Sequence, residues 1–123
     1  MLQLAVYNRA SFRRILQAFA AQSDHVQMLW REDDFYLYSE TMNVSFRDSF
    51  FDDYTCDDSY SISISARSCR RLARNWDVGQ IMTLEALPDD DCVRFALQPL
   101  RGRELAHRGI LRAVGSSRPA GPQ

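Results

Sequence analysis

The change of hydrophobic period at residues 60–76 constrains the fold more than any other feature of the sequence. Residues 60–65 read Tyr-Ser-Ile-Ser-Ile-Ser, a strict alternation that predicts a β-strand with one apolar face and one hydroxyl-bearing face. Immediately afterwards Cys69, Leu72 and Trp76 recur at helical spacing, which predicts a helix over residues 66–76. A chain with this junction combines strands and helices in close succession.

One earlier helix and several further strands are predicted along the chain. The helix covers residues 9–22, and Asn8 or Ser11 is expected to cap it. Its apolar positions follow the spacing i, i+3, i+4, i+7 and are Phe12, Ile15, Leu16 and Phe19. The other strands are predicted at residues 2–7, 25–30, 35–39, 43–46, 80–86 and 92–97. Two helices among meandering strands predict an α+β fold, with an antiparallel sheet covered on one face.

Two segments of the sequence allow more than one local structure. Residues 50–54 form an aromatic corner or one turn of helix, and residues 103–113 form a further strand or a short helix. The pattern of apolar residues does not decide between these alternatives.

The length and composition predict one domain. The chain has 123 residues, of which 46% are hydrophobic, enough for a single core. The predicted domain covers residues 1–113. Residues 115–123 contain no core-forming side chain, so the segment 114–123 is expected to be a disordered tail. No apolar run is long enough to span a membrane, no secretory signal is visible, and the three cysteines suit reduced thiols.

The charged residues are divided unevenly along the chain, although the formal net charge is only −1. All fifteen basic residues are arginine. Residues 9–22 and 66–77 contain a single acidic residue, Asp77, and seven arginines, which are Arg9, Arg13, Arg14, Arg67, Arg70, Arg71 and Arg74. On the second helix four of these repeat at i, i+3, i+4, i+7 and predict a basic stripe on one face. Such an uncompensated stripe favours a polyanion partner over a chance cluster, because a solvated face normally mixes both signs.

The remaining polar residues do not predict chemistry. The aspartate groups at residues 33–34, 52–53, 57–58 and 89–91 fall in predicted turns, where aspartate is favoured. His25 is expected on a strand surface and His107 in a loop, and neither pairs with a cysteine at metal-ligand spacing. Cys69 is expected to be an inert core thiol. The sequence therefore predicts no catalytic residues, no metal site and no cofactor.

Several segments resemble a known family. Residues 11–19, Ser-Phe-Arg-Arg-Ile-Leu-Gln-Ala-Phe, look like the first helix of eukaryotic-type, PCNA-like DNA sliding clamps. Residues 51–57, Phe-Asp-Asp-Tyr-Thr-Cys-Asp, are similar to the clamp pattern Phe-Asp-x-Tyr-x-Cys-Asp before a strand. The strand over residues 81–86 also resembles the clamp strand after the second helix. The resemblance covers residues 2–98. A divergent relative of the checkpoint-clamp type is also compatible with it.

The resemblance implies two helices on one face of curved antiparallel sheets. In the family six such domains close into a ring, and the helices line a hole for duplex DNA. Arg13, Arg14 and Arg70 match basic positions of the family's helices, whereas the DNA-binding assignment of the other four helix arginines rests on face geometry alone. The chain departs from the family in having a single domain and in using arginine wholly in place of lysine.

The function implied by the resemblance is that of a clamp that encircles or tracks duplex DNA. It would act as a processivity factor or a repair or checkpoint scaffold, with like or unlike clamp subunits and replication or repair proteins as partners. Its location would be nuclear, or cytoplasmic outside eukaryotes. The alternative is a clamp-like interaction module that pairs with a partner chain through its sheet edges and does not bind DNA.

Overall fold

The computed structural model describes residues 1–7, 10–77, 79–99 and 107–114. The helices are α1 (Ala10–Gln22) and α2 (Ala66–Asn75), with 3₁₀ turns at Asp48–Phe50 and Pro88–Asp90. The strands are β1 (Leu2–Tyr7), β2 (His25–Trp30), β3 (Asp34–Tyr38), β4 (Asn43–Arg47), β5 (Asp53–Cys56), β6 (Tyr60–Ser65), β7 (Gln80–Leu87), β8 (Cys92–Pro99) and β9 (His107–Arg112).

The strands form two antiparallel sheets. The large sheet has five strands in the order β5-β1-β7-β8-β9, and the small sheet has four in the order β4-β3-β2-β6. Every neighbouring pair in both sheets is antiparallel. This is the two-helix α+β architecture that the element order predicts, with two sheets in place of one.

One core connects both sheets and both helices. The apolar face of α1 is buried, and the Phe12 ring meets Phe46 of the small sheet at 5.1 Å and Trp76 beyond α2 at 6.0 Å. The predicted core aromatics are all buried and are Phe12, Phe19, Phe35, Phe46, Phe95 and Trp76. Burial of this much aromatic surface is a large apolar contribution to stability. These six aromatic residues therefore hold the helices against the sheets and are unavailable for stacking on bases.

The junction between β6 and α2 falls on Ser65. This residue ends the alternating strand, and its backbone is still extended. Its hydroxyl accepts a hydrogen bond from the amide of Ser68 at 3.1 Å, which satisfies one of the free amides of the first helical turn. The last hydroxyl of the strand is thus the cap of the helix.

The segment at residues 50–54 differs from both of its predicted alternatives. The 3₁₀ turn ends at Phe50, and residues 53–56 form β5 at an edge of the large sheet. Alternation is weak in this short strand, since it carries few apolar side chains. Its position is fixed instead by Tyr54, whose hydroxyl oxygen lies 2.6 Å from the carbonyl oxygen of Arg31 and 2.8 Å from that of Asp34.

The ends of the predicted elements also need correction. Ser11 lies inside the first turn of α1 and is not its cap, and Asn8 lies outside the described residues. Within residues 103–113 the structure contains a strand, β9, and His107 is its first residue, paired with Leu97, where a loop was predicted. Residues 103–106 lie outside the described part.

The end of the described chain is held by the small sheet. The amide of Val114 donates to the carbonyl oxygen of Ser63 in β6 at 2.8 Å. The rest of the predicted tail, residues 115–123, lies outside the described residues. In the part of the chain that the structure describes, neither α-helix is long and apolar enough to cross a membrane.

Candidate nucleic-acid interface

The two α-helices lie side by side and antiparallel. Arg13, in the first turn of α1, donates from Nε to the carbonyl oxygen of Ala73, in the last turn of α2, at 3.1 Å. Arg70 of α2 donates from Nη2 to the carbonyl oxygen of Ala20, near the end of α1, at 3.3 Å. The start of each helix is therefore beside the end of the other.

These two contacts place a cation at each helix C-terminus. The last carbonyl groups of a helix lack intrahelical partners and carry the negative end of the helix dipole. An arginine donating there satisfies a carbonyl group and interacts favourably with the dipole. Arg13 and Arg70, both predicted to bind DNA, thus also tie α1 to α2.

Arg71 turns away from its neighbour Arg70 and packs on the large sheet. Its guanidinium carbon lies 5.1 Å from the centre of the Phe95 ring in β8, a cation–π arrangement. Gly109 of β9 leaves the space for this packing. A Cβ atom added there would come within 2.7 Å of Arg71 Nη2 and 2.6 Å of Phe95. The half-buried Arg71 is therefore held between α2 and the sheet, although helical spacing alone places it in the basic stripe.

Four of the described helix arginines have exposed side chains, and Arg70 is among them. Arg14 of α1 and Arg67, Arg70 and Arg74 of α2 form what we call the helix arginine surface. In the described ranges no carboxylate lies within ion-pair distance of these four side chains. Arg9, the remaining predicted site residue, lies outside the described residues.

The helix arginine surface lies on the side of both helices opposite the core. At 100° per residue Arg67 and Arg74 are opposite the buried Leu72, and Arg14 is opposite the buried Leu16. Arg67 and Arg74 are about 10 Å apart along the helix axis, roughly the rise of three base pairs. Arginine binds phosphate oxygens through a planar fork of donors, so this surface can hold successive phosphates.

A polar cleft of about 540 Å³ opens beside Arg70, between the end of α1, the β3–β4 turn and the start of α2. Two exposed carboxylates, Asp24 and Glu40, line it. Because these acids lie close to Arg70, they lower the positive potential at this end of the surface. At the other end, where the start of α1, with Arg14, meets the end of α2, with Arg74, the exposed acid is Asp77, just beyond α2.

A second basic group, which sequence reasoning missed, lies on the large sheet. Arg94 of β8 donates to Glu85 of β7, and Arg108 and Arg112 of β9 are exposed. Arg108 and Arg112 flank the exposed Ile110 at alternating positions, which is the pattern of one face of a strand. Alternate spacing reveals such a group only where a strand is predicted. For residues 103–113 the sequence allows a strand or a helix, so it does not place these side chains on one face.

The thiols are held in their unreactive form. Burial raises the pKa of Cys69 to about 12, and burial together with Asp57 and Asp58 raises the pKa of Cys56. A protonated thiol is a poor nucleophile and a poor metal ligand. Among the described residues, no three His, Cys, Asp or Glu side chains form a group that could hold a metal ion.

Comparison with known proteins supplies one informative similarity. No protein-family model matches the chain, and no curated protein matches it. The solved structure of PCNA from Thermococcus kodakaraensis superposes with a TM-score of 0.79 over 97% of this chain, at 7% sequence identity. The chain has the fold of a PCNA-like clamp domain.

The clamp fold confirms the fold class predicted from the sequence and the clamp-like part of the resemblance. At 7% identity the similarity concerns the fold alone. The chain corresponds to 49% of the length of the Thermococcus kodakaraensis protein, so it spans about half of it. The three segments that carry the resemblance fall on α1, on β5 with the residues around it, and on β7.

Proposed function

We propose that this chain is a clamp-type, non-enzymatic protein that binds the backbone of duplex DNA through the helix arginine surface. The observation that carries the proposal is the exposure of Arg14, Arg67, Arg70 and Arg74 on one side of a helix pair, without carboxylate partners in the described chain. The PCNA-like fold supports it. The protein acts as a processivity factor or as a repair or checkpoint scaffold, in the nucleus or, outside eukaryotes, in the cytoplasm.

Binding of this kind reads phosphates and not bases. Each arginine that neutralises a phosphate releases counterions, so the logarithm of the affinity falls linearly with the logarithm of the salt concentration. Seven contacts would give a slope of about −6, and the four exposed arginines give about −3.6. Duplexes of different sequence should bind alike, because phosphate contacts fix position but carry no sequence information.

A single domain of this size cannot close around a duplex. We therefore include assembly with further clamp-type subunits, like or unlike, in the proposed function. Recruitment of replication or repair proteins would then depend on the assembled form.

The test is fluorescence anisotropy of a labelled 30-base-pair duplex at a series of salt concentrations. Arg14→Glu with Arg74→Glu should weaken binding at least tenfold at low salt and reduce the slope by about two, since two phosphate contacts are lost. The matched control is Arg31→Glu with Arg47→Glu, the same charge change at two exposed arginines, one in the β2–β3 turn and one in β4. Equal loss in both variants, or binding that ignores salt, would overturn the proposal.

A second candidate function is a clamp-like interaction module that does not bind DNA. It is favoured by the internal contacts of Arg13, Arg70 and Arg71, which show that basic residues of this layer also serve to pack the fold. For this function the wild-type protein should fail to bind the duplex at low salt and still associate with itself or with a partner chain.

A further inference from the structure

We propose that the outer face of β8 and β9 binds an extended acidic segment of a partner protein, in which an apolar side chain lies between two carboxylates at alternate positions. The inference goes beyond the proposed function, because it concerns a second surface of the single chain. Its main measurement uses no DNA, so the two proposals can fail separately.

The outer face of the large sheet is the face turned away from α2. Phe95 of β8 is buried, and the guanidinium carbon of Arg71 in α2 lies 5.1 Å from the centre of its ring. Because side chains alternate along a strand, Arg94 and Ala96 on either side of Phe95 face the opposite way. These two residues therefore mark the outer face.

The strand β9 is basic on this outer face. Leu111 is buried and Gly109 packs against Phe95, so the residues that alternate with them face outwards. We call the outward group of the two strands the sheet arginine surface, and it consists of Arg94, Arg108, Ile110 and Arg112.

The sheet arginine surface and the helix arginine surface lie on different sides of the molecule. The helix arginines point away from the core on the helix side, whereas the outer face of the large sheet points away from α2. The helices and the large sheet lie between the two surfaces. A duplex bound along the helices therefore leaves Arg108 and Arg112 accessible to a second ligand.

The two arginines of β9 supply the free positive charge of this surface. Arg108 and Arg112 are exposed, and neither makes an ion pair with a carboxylate of the described chain. Arg94 differs from them, because its Nε donates to the carboxylate of Glu85 in β7 at 3.1 Å. Cations that the fold leaves unpaired attract an oppositely charged partner.

A shallow cavity of about 350 Å³ opens beside these arginines. Its walls include Thr83 and Glu85 of β7, Arg94 and Ala96 of β8, and Arg108 of β9. Ala96 lies in the middle, since it pairs with Thr83 on one side and with Arg108 on the other. Its short side chain leaves a hollow between longer neighbours. Ile110, in the next row, is 44% exposed and adds apolar surface beside the hollow.

The spacing of the surface matches an extended peptide. In a strand each residue advances about 3.3 Å and alternate side chains face the same way, so Arg108 and Arg112 lie about 13 Å apart with Ile110 midway. An extended partner segment along β9 repeats this spacing with an acidic, an apolar and an acidic side chain. The carboxylates bind the two arginines, and the apolar side chain covers Ile110 and the hollow. These contacts use side chains on the face of the sheet and not the backbone edge of β9.

A nucleic-acid strand fits the sheet arginine surface less well than an acidic peptide does. A phosphate backbone has no apolar group to cover Ile110, and the Glu85 carboxylate in the cavity wall repels phosphates. Two free arginines also offer fewer phosphate contacts than the four of the helix arginine surface, and affinity for nucleic acid grows with that number. The apolar and the charged features together favour a protein partner.

The experiment measures binding of the fluorescein-labelled peptide Gly-Ser-Glu-Ser-Phe-Ser-Glu-Ser-Gly to the full chain by fluorescence anisotropy at low salt. Arg108→Gln with Arg112→Gln should weaken binding at least tenfold, because both carboxylates lose their partners. The matched control is Arg31→Gln with Arg47→Gln, which should bind the peptide like the wild type. Both variants should unfold at the wild-type temperature, since the exchanged side chains are exposed.

The helix arginine surface is the competing site for an acidic probe. Arg14→Gln with Arg74→Gln removes two of its cations and should leave the affinity for the peptide unchanged. Loss of peptide binding in this variant, together with unchanged binding in Arg108→Gln with Arg112→Gln, would overturn the proposal.

Two altered probes test the hollow and the spacing. Exchange of the peptide's phenylalanine for alanine should weaken binding about tenfold, since an apolar side chain is no longer buried. The rearranged peptide Gly-Ser-Glu-Glu-Ser-Phe-Ser-Ser-Gly should also bind more weakly, because its adjacent carboxylates cannot face both arginines. Ala96→Leu fills the hollow and Ile110→Ala removes apolar surface, so each should reduce the preference for phenylalanine over alanine.

Several outcomes would overturn the proposal. They are a wild type that does not bind the peptide, equal binding by the wild type and Arg108→Gln with Arg112→Gln, and equal affinity for the phenylalanine and alanine probes. The 30-base-pair duplex should bind Arg108→Gln with Arg112→Gln as well as it binds the matched control. A loss of duplex binding confined to the first variant would assign the sheet arginine surface to nucleic acid instead.

Discussion

Arg13 of α1 donates from Nε to the carbonyl oxygen of Ala73 of α2 across 3.1 Å. The contact joins the first turn of one helix to the last turn of the other. A hydrogen bond with a charged donor contributes more than a neutral one, and a carbonyl group that loses it is left without a protein partner. Arg13 therefore belongs to the scaffold that orients the helix arginine surface, and Arg14, its exposed neighbour, belongs to that surface.

We expect Arg13→Ala to lower the free energy of unfolding by about 1–2 kcal/mol, the usual range for a lost hydrogen bond of this kind. Urea denaturation followed by circular dichroism measures the change. Arg14→Ala is the matched control and should alter stability by less than about 0.5 kcal/mol, because it removes an exposed side chain. Equal destabilisation by the two substitutions would contradict the scaffold role.

Alanine substitutions should divide the helix arginines by their effect on the salt dependence of DNA binding. Arg14→Ala, Arg67→Ala and Arg74→Ala should each reduce the log–log slope by about 0.9, the loss of one phosphate contact. Arg71→Ala should leave the slope unchanged, because that side chain lies over Phe95. A reduced slope for Arg71→Ala would mean that the guanidinium leaves the ring to bind phosphate.

Gly109→Ala should destabilise the fold by about 1–3 kcal/mol, the typical cost of an extra methyl group in a packed site. The new Cβ would lie 2.6 Å from the Phe95 ring, too close for any real contact. Thermal unfolding monitored by circular dichroism tests this expectation, with Ile110→Ala on the opposite face as the control. A melting temperature for Gly109→Ala at or above that of the control would show that the ring can move aside.

Stability should fall at alkaline pH. Burial raises the pKa of the Cys69 thiol from 9.0 to about 12, and burial also raises the pKa of Tyr54. Both groups bind protons more tightly in the folded state, so unfolding becomes easier once pH exceeds the ordinary pKa of each group. For Cys69 the loss runs from about pH 9 to pH 12 and approaches about 1.4 kcal/mol per pH unit.

The pH dependence is measured by urea denaturation between pH 7 and 11. Cys69→Ala should flatten the alkaline slope, whatever its effect on stability at pH 7. If Cys69→Ala and the wild type lose stability in parallel above pH 9, the buried thiol does not titrate as described.

The sequence predicts the elements that have a clear period, and it misses those fixed by long-range contacts. β6 and β2 have the predicted bounds because alternation marks a half-buried strand. The hydrophobic pattern does not predict β5. Tyr54 of this strand is held in place by backbone groups of the β2–β3 turn, which is far away in sequence. No local pattern contains that information.

The candidate site, too, can be predicted only in part from the sequence. Helical spacing identifies which arginines avoid the core, but it cannot say what lies beside the helix. Arg70 and Arg71 are adjacent in sequence and point about 100° apart, one towards α1 and the other towards β8. Their different surroundings depend on the packing of α2 between α1 and the large sheet.

Ser65 is both the last residue of β6 and the cap of α2, so one position sets the register of the strand and the rotation of the helix. A slip of one residue at this junction would expose Ile62 and Ile64 and, at the same time, turn the arginine row towards the interior. A misfolded form with this slip is destabilised in two ways, by exposed isoleucines and by arginines turned towards the core. The β6–α2 junction therefore selects against near-native competitors as well as stabilising the native arrangement.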